Sequence, residues 1–276
     1  MPHASIRGIQ VYFERAVKAA ASPPLLFISG SGGDLRQKPN VFEGPLAGDF
    51  DLLAFDQRGL GQTEIPDGPY RMADYAEDAA ALLDFVGWDR CAVIGVSFGG
   101  MVAQELAVRH PERIERLVLC CTSSGGLGGH SYPLHELLEL PERERALRGI
   151  ELSDRRMGAD WRRANPEALE GMLATFAGRA APAGDEPRRE LGQRLQFEAR
   201  KGLDVYERLA LLTMPVLCCG GRYDGIAPVE NMRAIQDRIF GARLELFEGG
   251  HLFLMQDPKA YEAILEFLLE GEAPSV

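Results

Sequence analysis

Cys91-Ala-Val-Ile-Gly-Val-Ser97-Phe-Gly-Gly-Met-Val-Ala-Gln-Glu-Leu-Ala107 decides how the rest of the chain is read. It opens as an apolar, β-branched run of strand length. After Gly99-Gly100 the pattern turns helical, with Met101, Val102, Leu106 and Ala107 on one face. Between the two lies Gly95-Val-Ser97-Phe-Gly99, a G-x-S-x-G sequence in a strand–turn–helix setting. So sharp a turn holds its serine at a strained backbone angle, and Gly95 and Gly99 lack the Cβ atoms that would collide there. The Ser97 hydroxyl is thereby lifted clear of the sheet, and the amide of Phe98 points into the same space from a helix N-terminus. That makes Ser97 a candidate nucleophile with half an oxyanion hole beside it. The plain alternative is a Gly/Ser turn joining strand to helix.

The chain has 276 residues, of which 46% are hydrophobic, enough to bury a full core as one α/β domain with an insertion. No Pro/Ser/Gly linker divides it. A formal net charge of −11 argues against nucleic acid or an anionic membrane as partner. Met1–Gln10 lacks the basic start and apolar run of a signal peptide, and the longest apolar runs are of strand length. A cytoplasmic protein without a spanning helix is the expectation. Cys91, Cys120, Cys121, Cys218 and Cys219 show no metal-ligand spacing and fall in predicted buried strands, so free thiols are expected. A bridge between the strand ends carrying Cys120/Cys121 and Cys218/Cys219 is the alternative.

Ile6–Phe13 reads as an edge strand. Leu25–Ile28 reads as a short buried strand running into Ser29-Gly-Ser-Gly-Gly33, whose spacing does not complete a dinucleotide fingerprint. Further strands are predicted at Asp51–Phe55, Leu117–Cys121, Val216–Cys219 and Arg243–Phe247. Helices are predicted at Tyr70–Val86, Val229–Ile239 and Tyr261–Leu269. Short apolar strands alternating with helices mean a mostly parallel sheet covered on both faces. The rhythm breaks from about Gly128 to Leu203, where charge is dense and no strand fits. We expect core at 1–127 and 204–276 and a helical cap at 128–203 over the sheet's C-terminal edge. Helix breaks are expected at Pro141, Pro166 and Ala180–Gly184, and a loose tail at Gly271–Val276. The cap's arginine pairs read as a solvated face. Met157, Trp161, Met172, Phe176 and Phe197 are candidates to face a pocket or to form the cap's own core.

A serine hydroxyl needs a base within hydrogen-bond reach, and the base needs an orienting carboxylate. Open α/β sheets gather such groups at the C-terminal ends of their strands. Ser97 follows the strand Cys91–Val96, Asp224 follows Val216–Cys219, and His251 follows Arg243–Phe247. His3 is terminal and His110 ends a helix. His130 and His135 are spaced to face neither one helix side nor a metal. Asp56 also ends a strand, but the Gln-Arg-Gly turn after it points to a structural part, anchoring the loop with Arg58. The second oxyanion donor is expected from the loop after Ile28. The N–H of Ser31 is the first choice and Gly32 the next, with Gly30, Gly32 and Trp161 expected to touch substrate.

Gly95-Val-Ser-Phe-Gly-Gly100, Asp56-Gln-Arg-Gly-Leu-Gly61, Arg109-His-Pro-Glu-Arg113, the Asp224 loop and Gly249-Gly-His-Leu-Phe253 together resemble the α/β-hydrolase fold superfamily. The resemblance covers nearly the whole chain outside the cap, in the expected order. It implies an eight-stranded sheet, a cap between strands six and seven, and a serine hydrolase without cofactor or metal. Most capped members carry His-Gly where this chain has Ser29-Gly30. The segment Ser31–Leu35 is more similar to the loop of 3-oxoadipate enol-lactonases, and the Asp-Gln-Arg-Gly turn to prolyl iminopeptidases. Serine at position 97 speaks against epoxide hydrolase or haloalkane dehalogenase chemistry, which uses an aspartate there.

The expected reaction is hydrolysis of a small carboxylic ester or lactone by Ser97, His251 and Asp224, with the amides of Phe98 and Ser31 holding the oxyanion. Two alternatives stay open: a carbon–carbon bond hydrolase acting on a diketone, and a non-catalytic ligand receptor on the same fold. The expected partner is a small-molecule substrate, and a homodimer stays open.

Overall fold

The strand that leads into Ser97 lies at the centre of an eight-stranded sheet. Its order is β1(His3–Ile6), β2(Ile9–Ala16), β4(Asp51–Phe55), β3(Pro24–Ile28), β5(Cys91–Val96), β6(Ile114–Cys120), β7(Val216–Gly221), β8(Arg243–Phe247). This is a computed structural model, and it describes residues 2–19, 21–180 and 184–270. The Phe176 side chain, residues 181–183 of the expected helix break and the expected tail at 271–276 lie outside the described residues. From β4 to β8 in sheet order all neighbours are parallel, and β2 pairs antiparallel with both β1 and β4.

The single edge strand expected at Ile6–Phe13 is in fact a hairpin. Arg7 and Gly8 both have positive φ, 48° and 83°, and Ile6 pairs with Ile9 across them. A two-residue turn of that hand matches strand twist, and this one reverses the chain where the apolar alternation runs on unbroken.

The parallel strands read as unbroken apolar runs because successive side chains enter different cores. Leu26, Val93, Leu117 and Cys218 face α1(Met72–Phe85), α2(Phe98–Arg109) and α7(Val229–Arg238). Leu25, Ile94, Val118 and Cys219 face the other side, covered by α8(Phe253–Gln256) and α9(Lys259–Leu269). With both faces dry, the central strands β3, β5 and β7 carry no charged residue. Tyr75 of α1 meets Phe98 edge to face at 5.1 Å, which ties the first helix to the start of the second.

Between β6 and β7 come α3(Glu142–Ser153), α4(Ala159–Ala164), α5(Pro166–Ala180) and α6(Arg189–Lys201). This is the expected helical cap. An isolated bridge between Gly125 and Asp204 joins the two ends of this insertion, where the chain leaves and re-enters the sheet region. Met157, Trp161, Met172 and Phe197 are all half-buried. All five cysteines are free and buried. Among the described residues, no helix is long and apolar enough to cross a membrane.

Candidate active site

Ser97 connects β5 to α2 with φ 55° and ψ −115°, a backbone angle that side-chain-bearing residues rarely adopt. Its surroundings hold it there. The Ser97 N–H donates to the Cys120 carbonyl at 2.8 Å, and its own carbonyl accepts from Thr122 Oγ1 at 2.8 Å. A Cβ on Gly95 would stand 2.4 Å from the Gly99 carbonyl oxygen, and one on Gly99 would stand 2.0 Å from that of Ile28. Neither position tolerates a side chain, so the turn can close only with glycine on each flank.

His251, from the loop after β8, places Nε2 3.0 Å from Ser97 Oγ and Nδ1 2.8 Å from Asp224 Oδ2. In the neutral tautomer Nδ1–H donates to the carboxylate, and Nε2 accepts from the serine hydroxyl. Asp224, in the loop after β7, is 1% exposed, and its Oδ1 accepts the N–H groups of Ile226 at 2.7 Å and Ala227 at 2.9 Å. Every acceptor of that buried carboxylate therefore faces a donor. Burial opposes a charge on His251, but Cys121 and Asp224 beside it outweigh burial and hold the imidazole well above its ordinary range. Of those two neighbours, Asp224 carries the charge. Burial pushes the Cys121 thiol up, so it stays neutral near pH 7.

Cys121 was singled out in the sequence only as a buried thiol. It directly follows β6 with φ 41°, and its sulfur lies within 4.8 Å of both an Asp224 oxygen and a His251 nitrogen. These three donors could reach a shared metal ion. However, Asp224 Oδ2 and His251 Nδ1 already satisfy each other, an arrangement suited to moving a proton.

The loop after β3 lies against the nucleophile. A Cβ on Gly30 would be 3.5 Å from that of Ser97. The Gly32 N–H donates to Gln196 Oε1 on α6 at 3.1 Å. Among the described residues, the N–H groups of Ser31 and Phe98 have no protein acceptor. Gln57 Nε2 braces the same loop from below, on the Ser29 carbonyl at 2.8 Å. Trp161 sits on α4, half-buried, and no hydrogen bond or ring contact joins it to Ser97 or His251 among the described residues.

Asp56 does anchor its loop, accepting from the N–H groups of Leu35 and Gln62 at 2.8 Å each, and burial pushes its carboxyl up to about 7. Arg58 is not its partner. The guanidinium turns to Asp78 on α1, with two bonds of 2.8 Å. His110 Nε2 lies 3.2 Å from Glu77, and His130 and His135 line a crevice that Ser97, Asp224 and His251 do not touch.

The cap does more than cover the site. The carbonyl of Ser153, the last residue of α3, accepts the His251 N–H, and the carbonyl of Leu152 accepts that of Gly225. Arg155, expected on a solvated face, donates from Nε and Nη2 to the Asp224 carbonyl at 3.1 and 2.7 Å. Nothing in the local pattern around 152–155 marks these contacts.

The family model for the alpha/beta hydrolase fold matches residues 23–258. A poly(3-hydroxyalkanoate) depolymerase from Ectopseudomonas oleovorans is 31% identical over 90% of this chain and 85% of its own. A 2-hydroxymuconate semialdehyde hydrolase from Pseudomonas putida is also 31% identical, over 91% of this chain and 88% of its own. Among solved structures, the enol-lactonase from Burkholderia xenovorans LB400 superposes with a TM-score of 0.77 at 24% identity, covering 98% of this chain and all of that one. That likeness concerns the fold.

Proposed function

Because the chain belongs to the alpha/beta hydrolase fold family and is a hydrolase, we propose that it cleaves a small carboxylic ester or lactone through Ser97, His251 and Asp224. The observation that carries this reading is the continuous hydrogen-bonded line from Ser97 Oγ through the imidazole to Asp224, with contacts of 3.0 and 2.8 Å. A poly(3-hydroxyalkanoate) is a chain of carboxylic esters, so the depolymerase relative supports the same bond type.

In this mechanism His251 Nε2 takes the Ser97 proton as Oγ attacks the acyl carbon, and Asp224 stabilises the imidazolium that forms. The N–H groups of Phe98 and Ser31 receive the oxyanion. Gly32 is a poorer second donor, because its N–H is already held by Gln196. Collapse expels the alcohol, which takes the proton from His251. Water then enters, gives a proton to His251 and attacks the acyl-enzyme. The acid leaves and Oγ regains its proton, so that ester and water become acid and alcohol.

A second reading is kept by the Pseudomonas putida relative. The substrate in its name contains no ester, so hydrolysis there breaks a carbon–carbon bond. The same three residues can serve that reaction. The test is intact-mass labelling with a fluorophosphonate, run beside Ser97→Ala and a short-to-long p-nitrophenyl ester panel. One adduct on Ser97, absent in the variant, with ester turnover falling by about 10⁴-fold or more, supports the proposal. An adduct without ester turnover shifts weight to the carbon–carbon reading. Neither adduct nor turnover overturns catalysis by Ser97 and leaves ligand binding as the use of the fold.

A further inference from the structure

A crevice of about 210 Å³ opens beside α6, against the segment that runs from Ser123 to Pro133. That is room for a small organic molecule, far beyond the space a single water needs. Ser97, Asp224 and His251 do not line it, although Met101, one turn along α2 from Ser97, does.

Arg200 forms one wall and is 9% exposed. Its Nη2 donates to Ser131 Oγ at 2.7 Å, to the Tyr132 carbonyl at 2.8 Å and to the Ser131 carbonyl at 3.5 Å. All three acceptors are neutral. Among the described residues no carboxylate pairs with this guanidinium, and burial holds its pKa below the usual arginine value. Arg58 shows how the same protein treats another largely buried guanidinium: it is gripped by both oxygens of Asp78. A buried cation with only neutral partners is costly, because it surrenders hydration without gaining a counter-charge.

The other lining side chains add donors and no acid. His130, His135 and Lys201 line the same crevice, and His135 Nδ1 is buried without a partner. Glu198 pairs with Lys201 at 2.7 Å, and both are exposed. In a chain of net charge −11, this grouping of basic side chains runs against the overall field. Nη2 by itself would suffice to tie the Ser131–Tyr132 backbone to α6. A tie of that kind does not explain why Nη1 lacks a partner among the described residues, or why His135, whose buried Nδ1 has no hydrogen-bond partner, lines the same space.

We propose that this crevice binds a small oxyanion, a carboxylate or a phosphate, on Nη1 of Arg200, with His130 and His135 as flanking donors. Both forks of the guanidinium share Nη2, which Ser131 and Tyr132 already hold, so Nη1 offers a single charge-assisted donor that either anion accepts. The site is separate from Ser97 and does not depend on the reaction proposed there.

Isothermal titration of the intact chain at fixed ionic strength, with succinate and inorganic phosphate as separate probes, tests the proposal. One saturable site per chain for either probe is expected. Arg200→Gln should weaken it about tenfold or more, and His135→Gln by less. Binding of succinate alone identifies a carboxylate site, and binding of phosphate alone a phosphate site. No saturable heat beyond a matched sodium chloride titration, or unchanged affinity in Arg200→Gln, overturns the proposal. If Arg200→Gln does not fold, Arg200→Lys takes its place. It keeps the charge but loses the second donor nitrogen and cannot hold Ser131 and an anion at once, so affinity should fall, and unchanged affinity there is equally adverse. No ester is present, so the outcome is independent of turnover at Ser97.

Discussion

The N–H of His251 donates to the carbonyl of Ser153 at 2.6 Å, across 98 residues of sequence. Ser153 ends the first α-helix of the cap, and His251 is the base of the proposed reaction. Next to this bond, Gly250 leaves no room for a Cβ, which would stand 1.9 Å from the same carbonyl oxygen. The cap and the histidine loop are thus one packed unit, and the base is positioned as much from above as from β8.

Asp154 extends that unit and should act through position alone. It is 1% exposed, and its Oδ2 accepts from Gln256 Nε2 at 3.1 Å while Gln256 Oε1 holds the Gly250 N–H at 2.8 Å. Asp154→Ala is expected to lower stability by about 2–3 kcal/mol, and kcat by about tenfold with little change in KM. Burial raises the Asp154 carboxyl, but its bonds to Arg156 outweigh this and hold the net value below the ordinary carboxylate range. The stability it contributes is therefore present above its unfolded pKa and lost as pH falls through the folded one. Denaturant melts from pH 3 to 7 should show a smaller acid-side decline in the variant than in the parent chain.

Asp224→Asn should cut kcat/KM by about 10⁴-fold, since the amide favours the wrong imidazole tautomer. Activity requires neutral His251, so kcat/KM rises with pH through the imidazole pKa. With Asp224 present that limb should lie above the ordinary histidine range, and removing the charge should move the residual limb to lower pH. A pH–rate profile of both forms measures the displacement and its sign.

Gly99→Ala should abolish activity and destabilise the chain by about 2–4 kcal/mol. The new methyl would press on the Ile28 carbonyl at 2.0 Å, and backbone on both sides would have to move. Thermal melting with fluorophosphonate labelling reads both effects in one preparation.

Asp78→Ala should cost about 3–5 kcal/mol, because it strips the partner from Arg58, whose side chain is only 12% exposed. Asp78 lies on α1 and touches none of the proposed catalytic groups, so specific activity per folded molecule should be retained. Urea unfolding compared with activity at low temperature separates the two.

Asp56 carries the opposite pH sign to Asp154. Burial raises its folded value to about 7, so the folded state binds the extra proton and this group's contribution declines as pH rises from about 4 to 7. Asp56→Asn should flatten that decline in a pH series of urea midpoints.

The mostly parallel sheet and the strands that Ser97, Asp224 and His251 follow were legible in the sequence because each signal is local. An apolar run of strand length, a glycine-flanked serine, and an acid or a histidine directly after a strand carry their meaning within ten residues. The hairpin at Arg7-Gly8 escaped because the alternation of β1 and β2 continues across it. Its turn is declared only by φ values. Arg58 escaped because sequence offered a nearby acid in Asp56, while the fold offered Asp78 with two well-aligned oxygens.

By itself, then, the sequence determined that a parallel sheet would form and that Ser97, Asp224 and His251 would each end a strand at the same edge. Periodicity and turn chemistry are properties of neighbouring residues. Tertiary structure alone decided that Gln196 would occupy the N–H of Gly32, that Ser153 would hold His251, and that Arg200, His130 and His135 would share one crevice. Those pairings depend on how the helices of the cap fold back over the sheet. That is fixed by side-chain packing between segments far apart in the chain, and no local pattern encodes it.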